Sequence, residues 1–142
     1  MRLVDLNILL YAVNADSAPH RRARRWVEDV IGAGESVALP WVVILGFLRI
    51  ATSRQVFRKP LDPDEAIAVV DGWLARPNVV PLSPGPDHWR IVRSLVSATG
   101  SAGSLTTDAH LAALALEHGC ELCSTDTDFA RFPQLSWTNP LA

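Results

Sequence analysis

The chain has 142 residues, about half of them apolar, and a formal net charge of -2. That length predicts a single domain over 1–142, large enough to bury roughly two-thirds of the surface its unfolded form exposes. The slight negative charge excludes a protein that grips nucleic acid by bulk charge, so any RNA or DNA contact has to be a local basic patch or run through bound divalent cations.

Leu3 and Val4 lead into Asp5-Leu6-Asn7, after which Ile8, Leu9, Ala12 and Val13 recur at helical spacing. Asp5 and Asn7 interrupt the apolar run, which predicts a buried strand passing into a helix rather than a secretory signal. Pro19 opens a helix over His20 to Ile31 with Ala23, Trp26, Val27, Val30 and Ile31 on one face. Arg21, Arg22, Arg24 and Arg25 lie mainly off that face, with Arg24–Glu28 and Arg25–Asp29 spaced to pair four residues apart. Ser36 to Leu39 reads as a second strand.

Pro40 then starts a helix from Trp41 to about Ser53 that is apolar nearly all round. This predicts burial of Trp41, Val43, Ile44, Phe47, Leu48 and Ile50 in the core or a subunit interface. Arg49 is its conspicuous charge. Gly46 costs about 1 kcal/mol against alanine in a helix interior, so it marks a close approach or a space that must stay open.

Arg54 to Leu61 is a basic loop with Arg58 and Lys59. Asp62-Pro63-Asp64-Glu65 caps a following helix over Ala66 to Ala75 with Ile67, Val70, Trp73 and Leu74 inward. Asn78 to Leu82 reads as a third strand, Asp87 to Ala98 as a helix, and Thr99 to Ser104 as a Gly/Ser loop. Asp108 opens the next helix and Gly119 closes it. Glu121 to Ser124 is a buried strand, Asp126 and Asp128 stand in the turn after it, Leu135 to Trp137 is a last strand, and Asn139-Pro140 ends the order.

This alternation implies a three-layer α/β/α domain with a mainly parallel central sheet. No apolar stretch approaches the ~20 residues of a membrane span. Cys120 and Cys123 are the only thiols, which suits a reduced, cytoplasmic setting. Their C-x-x-C spacing lacks the second pair of ligands a structural zinc needs, and residues three apart in a strand point to opposite faces. They read as apolar fillers.

Sites in open parallel sheets lie at the carboxyl ends of the strands. Asp5 and Asp126 fall there directly, and Asp108 does so if the Gly/Ser loop lies on that side. Each aspartate alone is also a good helix cap. Several anions gathered at one edge repel one another unless a cation offsets them. Carboxylate oxygens without thiolates select Mg²⁺ or Mn²⁺, and such ions support phosphodiester cleavage. No G-x-S-x-G elbow, phosphate-binding loop or dinucleotide fingerprint competes, and His20, His88, His110 and His118 are scattered along the chain.

Four stretches together, Asp5 to Ala12, Leu39 to Ser53, Thr107 to Ala115 and Ser124 to Phe132, resemble a PIN domain of the VapC type, the toxin of a bacterial toxin–antitoxin pair. The resemblance covers essentially the whole chain. It implies a PIN-like fold and a Mg²⁺- or Mn²⁺-dependent endoribonuclease that cuts structured RNA such as tRNA or rRNA, forms a homodimer and is silenced by a VapB-type antitoxin. It assigns the metal to Asp5, Asp108 and Asp126, with Asp128 as an additional catalytic acid, and orienting roles to Asn7 and to Ser124 or Thr125. Contacts to RNA or antitoxin would come from Arg49, Arg54, Arg58, Lys59, Arg22 and Arg25.

One position departs from the pattern. Gly46 stands where the family commonly has a glutamate, three before Arg49. The expected consequence is a three- or four-aspartate site with a weak second metal position, Gly46 leaving room for substrate or antitoxin. A PIN-like module that binds RNA or a partner without cutting is the alternative that this departure raises. An aspartate-nucleophile phosphatase would use Asp5 but needs Asp at position 7 and a later lysine, and Lys59 is the only lysine.

Overall fold

The computed structural model describes residues 1–142. Five short parallel strands form the sheet: β1 (Arg2–Val4), β2 (Val37–Pro40), β3 (Val79–Leu82), β4 (Glu121–Cys123) and β5 (Trp137–Thr138). Their spatial order is β3-β2-β1-β4-β5. The helices are α1 (Leu6–Val13), α2 (His20–Gly32), α3 (Trp41–Ala51), α4 (Pro63–Leu74), α5 (His88–Thr99) and α6 (Thr106–His118). α1 packs on α2 and α3, α3 on α4, and α5 on α6, which gives the expected three-layer α/β/α arrangement.

The strand order reverses direction between β1 and β4. Connections leave that point to opposite sides, so the carboxyl ends of these two strands border a crevice, the usual ligand position in an open parallel sheet. The register is set at Leu3 against Leu122 and Val4 against Cys123. The Asp5 N–H extends the ladder by one bond of 3.0 Å to the Cys123 carbonyl. Leu3, Leu39, Leu122 and Cys123 on the strands and Ile8, Leu9, Phe47 and Leu114 on the helices are among the fully buried side chains.

Several expectations shift. α3 is apolar all round yet only half covered. Val43, Ile44 and Phe47 are buried, Leu48 and Ile50 are partly buried, and Trp41 and Leu45 are 45% and 59% exposed, so Trp41 is not a core residue. α3 also stops at Ala51, where the Thr52 hydroxyl donates to the Leu48 carbonyl at 2.7 Å and ends the ladder. α4 begins at Pro63 behind an Asp62–Glu65 capping box. It buries Ala66 and Val70, while Ile67 faces outward. Trp73 is partly buried, its ring edge-on to Phe47 with centroids 4.9 Å apart.

The last strand is Trp137–Thr138, and order continues beyond Pro140 because Leu141 enters the core. Arg22 contributes to that closure: exposed on α2, its guanidinium donates to the Leu141 carbonyl at 2.9 Å. Of the two predicted α2 pairs, Arg24–Glu28 forms at 3.0 Å and Arg25–Asp29 does not. Cys120 and Cys123 are free and buried. Burial pushes the Cys120 thiol up, and burial with the Glu121 charge pushes Cys123 up to about 12, so both stay protonated fillers at neutral pH.

Gly46 proves to be a close approach and not an open space. A Cβ there would lie 2.8 Å from Leu6 Cδ2, in the contact between α3 and α1. The room expected for substrate or antitoxin is filled by Leu6. Gly46→Ala gains about 1 kcal/mol of helix propensity, and the atom it meets is the methyl end of a partly buried leucine, which can turn aside at small cost. The expected result is a stability equal to wild type or up to about 1 kcal/mol higher in urea unfolding; a clear loss would show that Leu6 is locked in place.

Candidate metal centre at the β1–β4 crevice

Asp5 follows β1 and caps α1, its Oδ1 accepting the Leu6 N–H at 2.7 Å. Its Oδ2 accepts the Ser124 hydroxyl at 2.6 Å. Asp5 and Ser124 are the buried polar side chains of the chain, 8% and 0% exposed. Such groups are tolerated only when hydrogen-bonded, and these two satisfy each other across 119 residues of sequence.

Ser124 is a hub. Its oxygen donates to Asp5 and accepts the Asp126 N–H at 3.0 Å and the Asn7 side-chain amide at 3.2 Å. The Asn7 amide also reaches Asp5 at 3.4 Å, and Asn7 Oδ1 accepts the Thr125 N–H at 3.5 Å. Of the two hydroxyl residues that were open as orienting groups, Ser124 makes the contacts to the acids; Thr125 contributes its backbone. Trp137, expected only as part of the last strand, donates its indole N–H to the Ser124 carbonyl at 3.1 Å and ties β5 to the same turn.

Asp126 caps the following short turn, its Oδ1 accepting the Asp128 N–H at 2.9 Å. Asp108 is not the cap of α6. A short turn over Gly103–Leu105 feeds straight into the helix, so α6 begins at Thr106 and Asp108 falls inside its first turn. There it gains from the positive end of the helix dipole. Its position is nonetheless costly: burial, then the charges of Asp126, Asp5 and Asp128, push its carboxyl up to about 6 from the ordinary 3.8.

Asp108, Asp126 and Asp128 each offer a carboxylate oxygen within 4.8 Å of the other two. Asp5 stands beside this trio, both oxygens accepting hydrogen bonds. Burial pushes its carboxyl up, the Ser124 and Leu6 bonds oppose that, and the Asp126 charge adds to it. The donor set is all hard oxygen, which fits Mg²⁺ or Mn²⁺.

Arg49 lies in the last turn of α3, and Arg54, Arg58 and Lys59 lie in the loop between α3 and α4. None of these, nor Arg25, forms an ion pair within the chain. The histidines are less scattered than their spacing suggests. His88 Nε2 and His110 Nδ1 meet at 2.8 Å between α5 and α6. Glu117 accepts the Gly85 and Asp87 N–H groups at 2.8 and 3.0 Å, fastening the start of α5 to the end of α6.

A family model described as the PIN domain matches residues 2–135. Ribonuclease VapC33 of Mycobacterium tuberculosis is 46% identical over 141 residues, covering 99% of each chain. Ribonuclease VapC37 of the same species is 40% identical over 142 residues, covering 100% of this chain and 99% of that one. Among solved structures, VapBC2 from Rickettsia felis bound to a promoter DNA fragment superposes with a TM-score of 0.67 at 16% identity, covering 97% of both chains, which is a likeness of fold.

Proposed function

Because the chain belongs to the PIN-domain family and within it to the VapC-type toxins, we propose that it is a divalent-metal-dependent endoribonuclease acting on structured RNA, tRNA or rRNA. The observation that carries this reading is the trio Asp108, Asp126 and Asp128, whose oxygens converge within 4.8 Å at the β1–β4 crevice. Burial, with the charges of Asp126, Asp5 and Asp128 added to it, raises Asp108 to about 6. A divalent cation would offset the repulsion among these charges and, when bound, would supply an activated water and charge neutralisation for phosphodiester hydrolysis.

The residues divide the work. Asp108, Asp126 and Asp128 would hold the ion, with Asp5 as the further acid whose charge acts on Asp108. Ser124 fixes the distance between Asp5 and the Asp126 backbone through one hydroxyl, and Asn7 holds that hydroxyl from the side. Arg25, Arg49, Arg54, Arg58 and Lys59 remain unpaired cations for an RNA or a VapB-type antitoxin. The exposed strip Trp41, Val42 and Leu45 on α3 offers an apolar surface to an antitoxin or to a second copy in a homodimer.

The test is cleavage of bulk tRNA and rRNA by purified protein in Mg²⁺ or Mn²⁺, with and without chelator. Cleavage should disappear on chelation and return when the metal is restored. A protein that binds RNA equally well in excess chelator and cuts under neither condition would be a binding module instead.

A further inference from the structure

Between His88 and Thr107 the chain has no acidic residue over 20 positions, in a protein with 15 acids against 13 lysines and arginines. This stretch comprises α5, the Gly/Ser loop and the start of α6, and it ends at Asp108. On the outer face of α5, Trp89, Arg93 and Ser97 recur every four residues, with Arg90 and Ser94 beside them. They line a shallow concavity together with Ala98. Trp89 is 70% exposed, more than any other large apolar side chain of the chain. Arg90 reaches only its exposed neighbour Asp87, at 3.8 Å, and Arg93 has no ionic partner.

The face also has a direction. The start of α5 is fastened to the end of α6: Glu117 accepts the Gly85 and Asp87 N–H groups and lies 3.9 Å from His88 Nδ1, while His88 Nε2 reaches across to His110 Nδ1 in the second turn of α6. Only residues 100–105 connect α5 to Thr106. Such a connection makes α5 and α6 antiparallel neighbours, so the end of α5 bearing Ser97 lies toward the α6 turn that carries Asp108. The row from Trp89 to Ser97 is about 12 Å long, enough for about two nucleotides of extended single strand. An exposed indole stacks on an unpaired base, guanidiniums hold phosphates, and small serines let a backbone approach.

The geometry points to this face as a track for a single-stranded segment of the RNA substrate, running from Trp89 past Arg93 to the loop before Asp108. It rests on the ribonuclease reading and adds to it the surface that holds RNA outside the carboxylate trio. The acid-free run keeps that path free of charges that would repel phosphate.

The experiment compares wild type, Trp89→Ala and the double variant Trp89→Ala/Arg93→Ala on two probes: bulk tRNA, and a short oligoribonucleotide spanning only the carboxylate crevice. Binding of labelled tRNA is followed by anisotropy in chelator, where no cleavage occurs. Loss of one stacked base should weaken tRNA binding about tenfold. Loss of the Arg93 contact should lower the slope of log affinity against log salt by about 0.7. In Mg²⁺, cleavage of the short probe should stay within about twofold of wild type, since these exposed side chains support no core packing.

Unchanged tRNA binding in the double variant would overturn the track. So would equal losses on both probes, or conversion of a dimer to monomer in sedimentation with tRNA binding intact, which would assign the face to self-association. A wild type that binds tRNA in a Trp89-dependent way yet cuts nothing would instead retain the track and remove the ribonuclease reading.

Discussion

Asp108→Asn is expected to lower metal-dependent RNA cleavage about a thousandfold, the rate equivalent of about 4 kcal/mol of lost charge stabilisation, without destabilising the metal-free protein. The two halves have one cause. Asp108 is the member of the trio whose carboxyl is raised to about 6, so its ionisation is resisted in the folded chain and not in the unfolded one. An acid whose folded value exceeds its unfolded value gives its full stabilisation below the unfolded value and loses it as pH rises through the folded one. In chelator, the wild type should therefore melt at progressively lower temperature between about pH 4 and about pH 6, and the asparagine variant should lack that part of the slope. Melts at pH 4, 5 and 7 would read this directly. A variant that melts well below wild type at pH 7 in chelator would mean that the Asp108 carboxylate supports the first turn of α6 and is not held there at a cost.

Ser124→Ala should cost about 10- to 100-fold in cleavage, the usual range when a group that orients a metal ligand is removed. It should also cost about 1.5–3 kcal/mol of stability, the scale of a hydrogen bond to a buried charge. The serine hydroxyl is the strongest of the contacts that hold the buried Asp5 carboxyl down against its burial. Without it the Asp5 carboxyl rises further, so the acid limb of the pH–rate profile moves to higher pH. A loss of activity with an unmoved acid limb would show that Ser124 acts only by placing the Asp126 backbone.

The order and type of the elements were legible in the sequence because apolar periodicity and turn chemistry act locally: Pro40, Pro63 and Gly119 stand where helices start and stop. The crevice followed from strand alternation, since parallel connections put Asp5 and Asp126 on one edge. What could not be read depends on contacts between distant segments. Whether Trp41 is covered, which hydroxyl serves Asp5, and that Leu6 fills the space above Gly46 are set by packing across the sheet. The α6 boundary failed for a nearer reason: Asp108 is a good cap residue, and the Gly103–Leu105 turn supplied the helix start before it. His88 and His110 are 22 residues apart and meet only because α5 folds back on α6.

The pairing of β1 with β4 has a consequence for synthesis. Residues 2–4 can pair with β2 once residues 37–38 exist, but their other edge has no partner until residues 121–123 do, and Asp5 cannot meet Ser124 before then. A chain still emerging from the ribosome, at about 5–20 residues per second, carries its first aspartate for most of its translation without the other three. The carboxylate centre can be assembled only once residues 121–128 have followed, so its closure waits on the late pairing of β4 with β1.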